Sequence, residues 1–512
     1  MPGRDERTVR TTLAVTLIVF ISKAAGYVRD MVTAAYFGLG MENDAYVAAY
    51  GLFYLPVLLL SSCVTSTLIP LYVDARSNAS LKRANQFASN CINLFSAFAL
   101  LVSAVMMVFA RPLVHLIYHG YDGEKLALTV DLTRIMMPSL VFVVLSVVLS
   151  SILNAREKYI AAQLSGFPLT FAVIGATVLF SGQYGIRAAG WGVFVAGVLQ
   201  VVIVLPAMRD SLRYSFRFSL NDKRFRKLMA LALPAVLSMA VNELNHLIDR
   251  SLASGLLTGD MASMNYAYKL ISFATGVLIV PVTTIMFSRM SQRAAQHDNR
   301  SIIEIVMQCL EVIVLILMPI IAVGTVFSTD VIRLAYQRGN FTLQDALRTA
   351  PVFAMYLLGI IGFGLRDLFN RAFHALQNTY ITLYVSGLTV ALNIVLNIIL
   401  SRVMGASGLA LATTISCMVG AVVLFVLLRR RLGRMGGMRT AIELVKTLIA
   451  AVLCALCAVL LNRFLPNADG TLWVFLRLVA ATAVSFAVYI MALMALKVRQ
   501  LAFVRGMIAR RR

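Results

Sequence analysis

The chain has 512 residues, 60% of them hydrophobic and only 13% charged, with a mean hydropathy of +0.83. Soluble globular domains carry about 25% charged residues, so that class is excluded. A net charge of +23 invites a nucleic-acid reading. Basic residues of a multi-span membrane protein, however, collect in cytoplasmic loops, and their placement here decides the matter.

The first apolar run covers 11–34 and contains Ser22-Lys23-Ala24-Ala25-Gly26-Tyr27-Val28-Arg29-Asp30. A charge at bilayer depth costs about 3 kcal/mol on insertion scales. Lys23, Arg29 and Asp30 therefore either face a bundle interior or sit at a helix end and reach the headgroups. The head MPGRDER is charged but no small-residue cleavage site follows, so an uncleaved first span is expected. Further runs follow at 45–70, 87–110, 130–154, 163–182 and 188–206. A basic stretch, 208–228, interrupts them. Six more runs occupy 229–254, 263–288, 304–328, 347–370, 380–400 and 407–428, and two close the chain at 441–462 and 472–496. Pro138, Pro234 and Pro319 stand inside these runs and are expected to kink them.

Runs this long without period-two alternation predict helices, since in lipid every backbone polar group must bond within its own segment. The fold class expected is an all-α polytopic membrane protein of about fourteen transmembrane helices. Of the 46 Lys and Arg, 30 fall in the two termini and the even-numbered loops, seven in the odd loops and nine within spans. That asymmetry places both termini in the cytoplasm and accounts for the net charge without nucleic acid. It also makes anionic membrane lipids partners of the basic loops.

The chain repeats itself. Tyr50, Leu52, Val64, Thr65 and Gly190 match Tyr268, Leu270, Val282, Thr283 and Gly408 at a constant offset of 218. The organisation expected is an N-terminal lobe (1–207), a basic cytoplasmic linker (208–228), a C-terminal lobe (229–430), and two added helices with a basic tail (431–512). Two parallel lobes with charges at the seam describe an alternating-access transporter. An enzyme is disfavoured: the five histidines are scattered, and no nucleophile motif, paired-carboxylate loop or soluble domain occurs. The six cysteines all sit in apolar surroundings and read as small buried hydrophobes.

The candidate site gathers charges expected at membrane depth. The first lobe supplies Lys23, Arg29, Asp30 and Asp44; the second supplies Asp249, Arg250 and Lys269, with Arg366, Asp367 and Asn370 farther on. Asn242, Asn245 and Asp249 are spaced to share one helix face. Surplus cations suit an anionic substrate, and Arg suits phosphate above all.

These residues carry a family resemblance. SKAAGYVRD (22–30) followed by GLGMENDAY (38–46) resembles the S-R-x-x-G-x-x-R-D … G-x-x-x-D-A-[FY] opening of the MurJ (MviN) lipid II flippases. AYQRGNFTLQDA (335–346), NRAFHALQNTYI (370–381) and SGLALATTIS (407–416) are similar to later segments of that family, in the right order. The resemblance implies the fold of the multidrug/oligosaccharidyl-lipid/polysaccharide exporter superfamily, with two six-helix lobes and two extra helices. It implies a transporter that carries lipid II, the undecaprenyl-diphosphate-linked peptidoglycan precursor, from the inner to the outer leaflet of a bacterial plasma membrane for cell-wall synthesis. Cell-wall synthesis proteins are the partner class it suggests. The substrate-binding residues carried over are Lys23, Arg29, Lys269, Asp30 and Asp44. Where some members have an arginine pair in the second span, this chain reads LPVLLLSS (55–62), and Arg250 is the candidate to compensate. No cofactor is implied. Coupling is assigned to Na+ or H+ at Asp249, Asp367 and Asn370, or to the membrane potential. Two alternatives stay open: a flippase for another polyprenyl-diphosphate-linked glycan, and a cation-coupled drug antiporter of the same fold.

Overall fold

The computed structural model describes residues 2–78, 80–433, 435, 437–466 and 470–499, except for the side chains of 2–13, 234, 235, 238, 241 and 242. The side chains of Asn242 and Pro234, and most of the basic C-terminal tail, thus lie outside the described residues. Twenty helices follow one another among the described residues. The first nine are α1 (Pro2–Phe37), α2 (Met41–Asn78), α3 (Leu81–Val108), α4 (Ala110–Ile117), α5 (Gly123–Met136), α6 (Ser139–Ala155), α7 (Tyr159–Leu164), α8 (Phe167–Tyr184) and α9 (Arg187–Arg209). Then come α10 (Lys223–Ser254), α11 (Asp260–Leu278), α12 (Val280–Ala295), α13 (Asn299–Val326), α14 (Ser328–Tyr336), α15 (Leu343–Leu358) and α16 (Ile360–Ala375). The last four are α17 (Thr379–Met404), α18 (Ala406–Leu432), α19 (Met438–Phe464) and α20 (Thr471–Ala495).

Among the described residues ten helical segments are long and apolar enough to cross a membrane, or twelve if each of two bent pairs is one span. Adding the long helices α1 and α10 makes the fourteen expected spans compatible with the helices present. The α5–α6 pair bends by 40° at Met137–Pro138, where proline removes a backbone donor. The α11–α12 pair bends by 44° at Ile279, just before Pro281, a break the sequence reading did not anticipate. Pro319 lies inside an unbroken α13.

Two compact units result: Met1–Ala262 with Arg338–Phe341, and Ser263–Gln337 with Thr342–Arg512. The boundary falls after α10 and not in the basic linker. Within the first unit α10 packs on α2 and α3. The linker itself is laid along α3: Asn90 bonds the backbone of Ser219 in both directions (2.7 and 2.9 Å), and Tyr214 donates to Asn93 (2.8 Å).

The repeat is visible as bonds. In the first unit the buried Tyr118 hydroxyl donates to the Ala48 carbonyl at 3.0 Å; in the second, Tyr336 donates to the Tyr266 carbonyl at 3.2 Å. Both members shift by the same 218 residues. The short helices α4 and α14 each follow a single capping phenylalanine, Phe109 or Phe327, at that offset too. In the second unit α19 and α20 close on α13 through Val323, Phe327, Cys454, Ala481 and Tyr489. Arg477 of α20 adds a buried ion pair to Asp330 of α14 at 3.1 Å. All six cysteines are free, as expected.

Candidate functional site

In the first unit α1 brings Arg29 and Asp30 to the interior: their side chains are only 14% and 10% exposed and pair at 3.1 Å. This removes the reading in which Arg29 reaches out to headgroups. Lys23 is exposed, about 9 Å back along the helix and about 120° around it, so it does not share the Arg29 face.

Opposite Arg29 stands a tyrosine stripe on α2. Tyr46, Tyr50 and Tyr54 recur every four residues, and their rings stack with centroids 6.1 and 5.9 Å apart. Arg29 lies within electrostatic reach of the Tyr46 and Tyr50 hydroxyls. Sequence reasoning missed this stripe, although its i, i+4 spacing was there to read.

Arg250, on α10, reaches the same face of α2. Its guanidinium lies against the backbone of Gly51, where a Cβ would overlap it and come within 3.4 Å of the Tyr118 hydroxyl. Among the described residues no carboxylate forms an ion pair with Arg250; Glu243, two turns back on α10, is within electrostatic reach. Two guanidiniums thus meet a wall of tyrosine hydroxyls, one paired and one without an acid. A face of that kind suits an anion with polar substituents.

Asp44 has a different place from the one expected of a substrate ligand. It is 1% exposed, accepts from Lys125 Nζ at 2.8 Å, and takes the backbone N–H groups of Gly259 and Ala262 at 2.7 and 2.9 Å. Its carboxylate caps the start of α11, where aligned peptide dipoles favour negative charge. Gly259 has φ +93°, and a side chain there would strike the Leu39 carbonyl. Lys125 also lies 4.2 Å over the Tyr121 ring, and burial and the Asp44 charge push the Tyr121 phenol pKa upward. In this state Asp44 offers no free oxygen to a substrate. It is a tie that joins α2 to the Gly259–Ala262 segment.

Two further ties close the same end of the first unit. Asn340, inside the 335–346 motif, bonds the Ala35 and Tyr36 carbonyls at the end of α1 (2.7 and 2.6 Å). The Ser251 hydroxyl, near the end of α10, donates to the Ile117 carbonyl at 2.5 Å.

Of the second-lobe residues, Asp249 is 5% exposed and belongs to the first unit. Asp367 and Asn370, on α16, belong to the second, as does the half-buried Lys269 on α11. One Asp367 oxygen accepts from Thr283 (2.6 Å) and from Arg371 (2.9 Å). An oxygen so engaged is a poor ligand for a small cation. Among the described residues no group of three or more His, Cys, Asp and Glu could hold a metal ion.

The fold is shared with solved membrane transporters. A solved multidrug MATE-family transporter of the MOP superfamily, in an inward-facing conformation, aligns at TM-score 0.71 and 14% identity, over 82% of this chain and 98% of its own. The structure titled "Lipid II flippase MurJ, inward closed conformation" aligns at TM-score 0.79 and 24% identity, over 97% of this chain and all of its own. A family model described as lipid II flippase MurJ matches residues 33–480. The chain belongs to the MurJ family of lipid II flippases. Among its relatives are the probable lipid II flippases MurJ of Rhizobium meliloti (28% identical, covering 79% of this chain and 77% of that one) and of Thermotoga maritima (27%, 81% and 85%). That of Buchnera aphidicola from Schizaphis graminum is 25% identical over 96% of this chain and 98% of its own.

Proposed function

We propose that the protein moves lipid II from the inner to the outer leaflet of the bacterial inner membrane by alternating access, with both termini in the cytoplasm. The observation that carries this is the family match over residues 33–480. The first unit supports it locally, because Arg29 and Arg250 meet one tyrosine-lined face of α2. In this reading the two guanidiniums take the diphosphate and the Tyr50 and Tyr54 hydroxyls serve the sugar headgroup. Asp30 orients Arg29. Lys23 and Lys269 are additional cations for the headgroup. Asp44 with Lys125 holds the outer end closed while substrate loads, and its release accompanies opening. The energy comes from a coupled Na+ or H+ or from the membrane potential.

The test is made in cells that depend on this protein. Depletion is expected to abolish access to lipid II at the outer surface while other lipid-linked glycans are unchanged; lipid II still delivered would sink the function. Arg29→Ala and Arg250→Ala are each expected to lower delivery at least about tenfold, as loss of a charge-assisted phosphate contact does. Full delivery by both variants would leave the function standing and remove these residues from it.

A further inference from the structure

The second unit holds a polar cavity of about 580 Å³ that the transport reading does not use. It opens where the α12–α13 turn, the α16–α17 turn and the end of α18 meet, and its polar lining is Ser291, His297, Asn299, His374, Gln377 and Arg431. Among the described residues no carboxylate lines it. Asp298, next to two lining residues, turns aside: it caps α13 through the Ser301 N–H (3.0 Å) and hydroxyl (2.5 Å) and pairs with Arg293 at 3.6 Å. Among the described residues the side chains of His297 and Arg431 have no hydrogen-bond or ion-pair partner, and His374 Nε2 has only a long contact, 3.5 Å, with the Thr382 hydroxyl.

The repeat shows that this opening is not forced by the fold. At the matching turn of the first unit, Arg156 caps α6 and is followed by the left-handed Glu157 (φ 62°). Arg156 fills its corner, donating to Tyr72 at 2.8 Å and to Asn85 at 3.1 Å. At the second turn the cap is Leu376, followed by the left-handed Gln377 (φ 55°), and both line the cavity. The self-contained polar corner of one unit is thus an open one in the other, with unpartnered donors around it. Another polar cavity, of about 370 Å³ in the first unit, is lined instead by Glu42, Glu124 and Arg187. The lining here has basic and amide side chains where that cavity has two carboxylates.

We infer that the cavity bounded by His297, His374 and Arg431 binds a phosphate group, presented by the headgroup of an anionic lipid or by a soluble phosphate. Planar guanidinium and ring N–H donors with two amides form the donor set phosphate requires. The volume lies in the range of small-molecule sites, about 300–1,000 Å³. The three elements that frame it carry loops of the basic-rich set, which an anionic leaflet attracts.

The experiment uses the full chain, purified in detergent and examined by native mass spectrometry with added phosphatidylglycerol, phosphatidylcholine or inorganic phosphate. Phosphatidylglycerol is expected to be retained about tenfold more than phosphatidylcholine. Arg431→Ala and His374→Ala are each expected to lose most of that preference, whereas Arg429→Ala, on the same helix end but outside the lining, keeps it. Inorganic phosphate that displaces phosphatidylglycerol at millimolar concentration, and binds wild type but not Arg431→Ala, would keep the phosphate site and assign it to a soluble ligand. Equal retention of the two lipids, or a preference unchanged in both cavity variants, overturns the inference. Size-exclusion and melting profiles of the variants identify any loss that comes from misfolding. Retention is read in the absence of lipid II and compared between cavity variants, so this outcome is separate from that of the transport site.

Discussion

The two units share one plan and differ in what they attach to it. Each keeps a buried tyrosine bonded to a carbonyl 70 residues earlier, Tyr118 to Ala48 and Tyr336 to Tyr266. Around that common tie the first unit assembles charges: Arg29 with Asp30, Arg250 over Gly51, and Asp44 enclosed by Lys125 and two backbone N–H groups. The second unit applies its buried charge to architecture, with Arg477 of α20 locked to Asp330 beside an apolar cluster. The duplication therefore preserves bonds to the backbone, which any side chain of the right reach can repeat. Charged groups diverge because each is worth having only where its partner also exists.

Breaking a buried pair tests this difference most strongly. Arg477→Met removes the nearer of the two cations beside buried Asp330, leaving Arg333 at 3.8 Å, and is expected to cost about 1.5–3 kcal/mol in thermal unfolding. Arg477→Met with Asp330→Leu is expected to recover most of that loss. A double variant no better than the single would show that the pair does not act as a unit. Asp44→Ala strands Lys125 and removes the cap of α11, with a similar expected cost; here Asp44→Asn should retain part of the capping and lie between.

Gly51→Ala is expected to displace the Arg250 guanidinium at little cost in stability, because the overlapping atom ends a flexible side chain and alanine favours the helix by about 1 kcal/mol. It should also reduce lipid II delivery as far as Arg250→Ala does. Normal delivery by Gly51→Ala would place Arg250 outside the transport path. A finer comparison sets Tyr118→Phe against Tyr336→Phe. Each removes one buried hydrogen bond and is expected to cost about 0.6–1.5 kcal/mol, the two agreeing within error if the repeat is energetically even. The smallest effect belongs to Arg187→Ala. Its pair with Asp131 at 2.9 Å is about half exposed on both sides, so a change of no more than about 1 kcal/mol is expected.

Much of this was legible in the chain because the bilayer makes length and apolarity decisive. The runs follow from patterns within a few dozen residues, and the 218-residue offset from matching one half of the chain with the other. The assignment of Asp44 to the substrate is what the family resemblance implies. The partners of Asp44, Lys125, Gly259 and Ala262, lie 81, 215 and 218 residues away, and no local pattern couples them. The same holds for α10, placed by its sequence in the second lobe and found packed on α2 and α3. Asp367 looked available for a cation until Arg371, one turn on, was seen to engage it.

By itself the sequence determined the class, the helical spans, the duplication and the family, since hydropathy, loop charge and ordered motifs are properties of the chain alone. Only the tertiary structure decided which charges are satisfied and which remain open. Arg29, Asp44 and Asp367 acquire partners, while Arg250 settles over Gly51 and the His374–Arg431 corner stays unfilled. The physical reason is range. Apolar burial adds up along a helix, whereas the fate of a buried charge is set within about 4 Å by groups the fold brings from elsewhere.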